Sequence, residues 1–109
     1  MGSVTTKGNL SAAKAHLVEL MQGLNFGSVH WLIIRDGEPV LDPRPRIVRQ
    51  VKFGGQNDPR PEFQKRDFTL KAEVQELFAE MEAMGNGVIM CIEVKHGLPF
   101  TMTLEESVA

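Results

Sequence analysis

Two stretches decide the fold: residues 10–41, LSAAKAHLVELMQGLNFGSVHWLIIRDGEPVL, and residues 70–101, LKAEVQELFAEMEAMGNGVIMCIEVKHGLPFT. They lie over one another at a constant offset of 60, without a gap. Leu10 meets Leu70, Ala12 meets Ala72, Leu17 meets Leu77, Met21 meets Met81, Gly27 meets Gly87, Gly37 meets Gly97 and Pro39 meets Pro99. Other pairs keep their character, among them Val29 with Ile89, Leu32 with Ile92 and Ile34 with Val94. The matches fall at apolar positions and at turn glycines, which is where a shared backbone constrains residue type. The reading is a duplicated helix–hairpin unit.

Each copy spells out its own elements. Asn9 or Ser11 can cap a helix that runs to Leu24, with Ala13, Leu17, Leu20, Met21 and Leu24 on one face. Asn25 and Gly27 stop it, Ser28 to Arg35 is strand-like, and Asp36-Gly37 is a hairpin signal. Glu38 to Asp42 returns until Pro43 and Pro45 break it, and Arg46 to Phe53 reads as a third strand without a counterpart in the second copy. Gly54 to Pro61 has turn composition; it includes Gly54-Gly55-Gln56, a tripeptide that resembles one in peptide-chain release factors, although the flanking residues differ. In the second copy Asp67 or Thr69 caps a helix to Met84 whose stripe is Leu70, Val74, Leu77, Phe78 and Met81. Val88 to His96 and Leu98 to Glu105 form the second hairpin.

The expected fold is therefore α+β, in the order α-β-β-β-α-β-β, with two helices on one face of a four- or five-stranded antiparallel sheet. Residues 1–9 are a polar lead-in and residues 10–109 a single domain, with a basic strand and loop at 44–66 inserted between the copies.

Strand alternation suggests which residues leave the core. Glu93 and Lys95 do not belong under a helix, so their row is assigned to the open sheet face. By the same parity Val29, Trp31, Ile33, Ile89 and Cys91 share that face, and His30, Leu32 and Ile34 turn to the core. So much apolar surface implies a contact, and the expectation is a symmetric homodimer anchored by Trp31.

Composition narrows the chemistry. The net charge of −2, the 42% apolar residues and the 24% charged residues describe an ordinary globular domain. One cysteine permits no internal disulfide and suits a cytoplasmic setting. No apolar run is long enough to span a membrane. No metal-ligand spacing, phosphate-binding glycine loop or serine elbow is present, so no cofactor is expected. Cys91 with His16, His30 or His96 assembles no dyad if Cys91 and His30 lie on opposite faces.

Charge is nonetheless segregated. Arg44, Arg46, Arg49, Lys52, Arg60, Lys65 and Arg66 face only Asp58 and Glu62 between residues 44 and 66, a balance of +5, while the rest of the chain carries −7. The expected function is a small, non-enzymatic binding or adaptor protein that contacts nucleic acid or an acidic protein through this segment. The rivals are a small enzyme or ligand-binding protein with a pocket near Trp31 and Cys91, and a structural subunit of a larger assembly.

Overall fold

The computed structural model describes residues 10–51, 53–54 and 71–105. Its elements are α1 (Ala12–Leu24), β1 (Gly27–Arg35), β2 (Glu38–Val40), β3 (Arg46–Arg49), α2 (Ala72–Met84), β4 (Gly87–Lys95) and β5 (Leu98–Leu104). This is the expected α+β order, with an antiparallel five-stranded sheet.

Capping chemistry sets the helix ends. The Ser11 hydroxyl accepts a hydrogen bond from the Lys14 amide at the α1 N-terminus. Lys71, rather than Asp67 or Thr69, precedes the first residue of α2 and contributes no side-chain cap; Asp67, Thr69 and Leu70 lie outside the described residues. Asn25 (φ 64°) and Gly85 (φ 73°) close the helices, their amides donating to Met21 O and Met81 O at 3.0 Å. Both hairpin turns have positive φ at each central residue: Asp36 and Gly37 at 53° and 76°, His96 and Gly97 at 55° and 75°. That is the mirror-image turn whose twist matches the strands it joins.

Element bounds, helix ends and turns thus recur at an offset of 60, as a duplication would leave them. The halves also interlock reciprocally. The Gly37 amide donates to Gly85 O at 2.7 Å and the Gly97 amide donates to Asn25 O at 2.9 Å, so each hairpin turn docks on the end of the other half's helix. At the sheet centre Gly27 pairs with Val94 and Ile34 with Gly87. Equivalent strands paired antiparallel in this register are related by an approximate two-fold axis. It passes between the His30–Cys91 pair and the neighbouring residues Trp31 and Met90, which are omitted from the register.

The sheet order is β2-β1-β4-β5, with β3 also on β1. The third strand is shorter than expected, ending at Arg49, and among the described residues the second half has no separate third strand. β2 pairs with Ile33–Arg35 and β3 with Gly27–His30, so together they take the edge of β1 that the single strand β5 takes along β4. Pro43 and Pro45 offer no amide to a ladder, so the return strand breaks and re-enters as β3. Gly27 permits the close approach of β3: a Cβ there would collide with the Val48 carbonyl oxygen.

The helices cover one sheet face. Leu17, Val18, Met21 and Leu24 of α1 and Val74, Leu77, Phe78 and Met81 of α2 meet Val29, Leu32 and Ile34 of β1 and Ile89, Ile92 and Val94 of β4. Each such side chain contributes about 1.5–3 kcal/mol on burial. This core corrects the strand-face assignment for Val29 and Ile89. Both are fully buried beneath the helices and unavailable to any interface, while His30 lies on the other side. Alternation slips once in each strand. Two consecutive residues separate the inward positions, His30 and Trp31 in β1, Met90 and Cys91 in β4. Trp31 has φ +58°, and the β4–β5 register shifts between Ile89 and Cys91.

One charged network ties the halves on the helix side. Lys14 is buried, its Nζ 2.7 Å from Glu82 Oε2 and 3.6 Å from Glu38 Oε2, with the Phe78 ring centroid 5.5 Å away. Glu38 also accepts a hydrogen bond from the Ser11 hydroxyl. Burial, the largest influence, works to lower the Lys14 pKa. The hydrogen bonds and charges of Glu82 and Glu38 outweigh it and hold the pKa above its ordinary value.

Candidate functional site

With the helices on one side, the outward positions of the strands form the other, and register arranges them in rows. Val40, Ile33 and Val88 are successive partners across β2, β1 and β4. Trp31 and Met90 come next along the strands, followed by Arg46, His30, Cys91 and Thr103, then by Val48, Ser28, Glu93 and Thr101. None of Trp31, Ile33, Val40, Val88 and Met90 packs against the core cluster. The face is therefore apolar toward one end of the central strands and polar toward the other.

Trp31 dominates the apolar end. It is 56% exposed, and its backbone sits in the left-handed region at the middle of a central strand. A bulky aromatic residue there is strained by about 1–3 kcal/mol, and such strain persists where the surrounding structure enforces it. The register on both sides of Trp31 supplies that enforcement: Val29, Leu32 and Ile34 all point into the core only because the chain makes its slip at this residue.

The polar end holds a shallow depression of about 570 Å³ lined by Ser28, His30, Val48, Cys91, Glu93 and Lys95. Ser28 Oγ and His30 Nε2 share a 2.7 Å hydrogen bond whose direction depends on the imidazole tautomer. Cys91 is the direct cross-strand partner of His30. The expectation that these two lie on opposite faces is thus corrected, for the same reason that Val29 moved inward. Glu93 stands opposite Ser28 and not beside His30, so the serine–histidine pair has no orienting carboxylate among the described residues. Among the described residues no group of three His, Cys, Asp or Glu side chains is placed to hold a metal.

The basic segment is only partly described. Arg44 and Arg46 are exposed, Arg46 at the margin of the polar end beside His30. Arg49 is engaged elsewhere: its guanidinium donates to Leu24 O at 3.1 Å and to Gly23 O at 3.2 Å, where a cation satisfies the last carbonyls of α1. Lys52, Arg60, Lys65 and Arg66 lie outside the described residues. Sequence reasoning missed the helix-capping role of Arg49, which depends on β3 returning along α1.

Of the residues assigned to an interface, the structure leaves Trp31, Ile33 and Cys91 on the open face and adds Val40, Val88 and Met90. No helix among the described residues is long and apolar enough to cross a membrane. Compared with protein-family models, curated proteins and solved structures, the chain finds no match.

Proposed function

We propose that the protein is a non-enzymatic binding module that pairs with a second copy of itself through the open sheet face, with Trp31 as the anchor. The observation that carries this reading is Trp31 itself, more than half exposed and strained outward on a face that no described element covers. Tryptophan is the residue type most enriched among interface hot spots, and an interface gives its strained backbone a function.

Area and charge favour a like partner. Nine-residue central strands and four strand positions make a face of about 30 Å by 19 Å, roughly 600 Å² in projection, close to the ~800 Å² per partner of a standard interface. Arg35 stands beyond the apolar rows, and Glu93 lies in the polar rows at the other end of the same face. A two-fold axis in the interface plane, perpendicular to the strands and passing between Trp31 and Ile33, lays apolar rows on apolar rows. It also carries Arg35 toward the partner's Glu93, which gives the self-complementarity of an isologous contact.

Sedimentation velocity across a wide concentration range tests this. Wild type should show a reversible dimer, and Trp31→Glu should weaken it by about 30-fold or more, the equivalent of a ~2 kcal/mol hot spot. Arg35→Glu and Glu93→Arg should each weaken the dimer, and the double exchange should restore it. A wild type that stays monomeric at millimolar concentration would refute the reading.

Two exposed cations, Arg44 and Arg46, with no partner among the described residues, favour a second contact with an anionic partner, nucleic acid or acidic protein, along the β3 edge. Salt-sensitive anisotropy changes with random-sequence oligonucleotides, lost in an Arg44→Ala, Arg46→Ala variant, would identify it as nucleic acid. A cytoplasmic setting fits the single free cysteine. The rival, a ligand pocket built on Trp31 and Cys91, has less support, because Cys91 lines the polar depression and Trp31 does not.

A further inference from the structure

We propose that the groove between α2 and β5 is a docking site for an extended, lysine- or arginine-bearing segment of another protein, which adds to the sheet along β5. The groove is distinct from the open face. It has a volume of about 300 Å³, with Leu77, Phe100 and Met102 among its apolar lining and Glu73, Glu76 and Glu80 along its α2 wall.

Three features converge there. The first is the strand edge. Among the described residues β5 pairs only with β4, so its outer backbone groups have no ladder partner. An extended peptide can satisfy them, and main-chain pairing supplies affinity while pockets for alternate side chains supply specificity. Pro99 has no amide to contribute, so the usable stretch runs from Phe100 to Leu104. The second feature is Phe100, which is 60% exposed and has the Lys95 ammonium 4.0 Å from its ring centroid. An exposed aromatic beside a hollow and an unpaired edge is an anchor point for an incoming apolar side chain.

The third feature is charge, and it selects the partner. Glu73, Glu76 and Glu80 make no ion pair among the described residues, and α2 contains no basic residue. By themselves these carboxylates would be a solvated helix face. Placed along the wall of an apolar groove, within reach of a strand laid on β5, they match a segment whose alternate side chains are cationic. A groove beside α1 in the first half, overlapping the equivalent helix positions at His16, Glu19 and Leu20, already holds a cation from its edge strand. There α1, β3 and Ile47 line the hollow, and Arg49 reaches in from the edge strand to the α1 carbonyls. The second half has no such arginine among its described residues.

The test uses a fluorescein-labelled peptide of alternating lysine and valine, with an alternating glutamate–valine peptide as control. Anisotropy should show saturable binding of the first at low salt, weakened by added salt, and none of the second. A Glu73→Gln, Glu76→Gln, Glu80→Gln variant should bind about ten-fold more weakly or worse. Glutamine is as good a helix former as glutamate, so circular dichroism should be unchanged. Phe100→Ser, which leaves every carboxylate in place, should also weaken binding, and the Met102 amide, which faces away from β4 between the Glu93–Thr101 and Cys91–Thr103 pairs, should gain exchange protection on binding wild type. Trp31→Glu should bind the peptide as wild type does. Binding that survives the triple glutamine variant, that the control peptide shares, that Trp31→Glu abolishes, or that never appears at low salt would overturn the proposal.

Discussion

Replacing Lys14 by methionine tests how much the charged network holds the halves together. The change keeps an unbranched apolar stem against Phe78 and deletes the ammonium that lies 2.7 Å from Glu82 and 3.6 Å from Glu38. Taken alone, the shorter contact is worth about 6 kcal/mol at an effective dielectric of ~20. Most of that is cancelled by desolvation, because the Lys14 side chain keeps only 10% of its surface in water. Its partners remain 41% and 64% exposed and can be resolvated when the lysine goes, so they are not left as stranded buried charges. The expected net loss is about 1–2 kcal/mol, or a fall in Tm of roughly 5–10 °C for a domain of this size. Urea and thermal unfolding at pH 7 would measure it. The pH dependence gives a sharper check. The Lys14 pKa is raised in the folded state, so its contribution is complete below the unfolded lysine pKa of about 10.5 and is lost as pH climbs through the higher folded value. Wild type and Lys14→Met should therefore converge in stability above about pH 10.5 and differ by a constant amount from pH 7 to 9. Equal stability at pH 7, or a gap that persists unchanged at pH 11, would refute the reasoning.

Two other substitutions address groups that work against stability. Gln22 is buried, and its Oε1 has no hydrogen-bond partner among the described residues. Gln22→Met conserves length and helix propensity while removing the orphaned acceptor, and should raise stability by about 1 kcal/mol in urea unfolding; destabilisation would show that the amide is satisfied or structurally required. Trp31→Gly should relieve the left-handed strain at φ +58° and leave the monomer as stable as wild type, or more so by about 1 kcal/mol, while abolishing the dimer in sedimentation. A loss of monomer stability greater than about 1 kcal/mol would mean that the indole supports the fold and not an interface.

Much of the fold is legible in the sequence because its signals are local. Ser11, Asn25 and Gly85 mark helix ends, Asp36-Gly37 marks a turn, and the offset of 60 transfers each reading to the other half. The strand faces are not legible from alternation, because alternation assumes an unbroken ladder and each central strand slips once. A better signal was present in the paired halves. Val29 with Ile89, Leu32 with Ile92 and Ile34 with Val94 keep their apolar character, whereas His30 with Met90 and Ile33 with Glu93 do not. Positions that must fill one shared core stay apolar together, and positions facing solvent or a partner are free to differ. The first set is the buried row and the second is the open face. Only long-range placement, such as Arg49 reaching the end of α1 from β3, escapes both kinds of reading.

The same comparison indicates where the two halves have taken different roles. At positions matched by the offset, Lys14, Glu82 and Glu38 form the charged network, while Val74, Gln22 and Leu98 leave the corresponding place without a charge. Arg49 closes the end of α1, whereas the last turn of α2 has no cation of its own. The first half completes its polar chemistry with Arg49 of its own β3 and with Glu82 reaching over from α2. The second keeps a row of carboxylates, an exposed phenylalanine and a strand edge that pairs with no described residue together on one flank. Backbone symmetry needs no such difference, since both halves have the same helix, turn and strand positions. The divergence lies in side chains at the rim, where stability places the fewest demands and binding places the most. That reasoning supports the proposals that the open face recognises a copy of the chain and that the α2–β5 flank meets a different, basic partner.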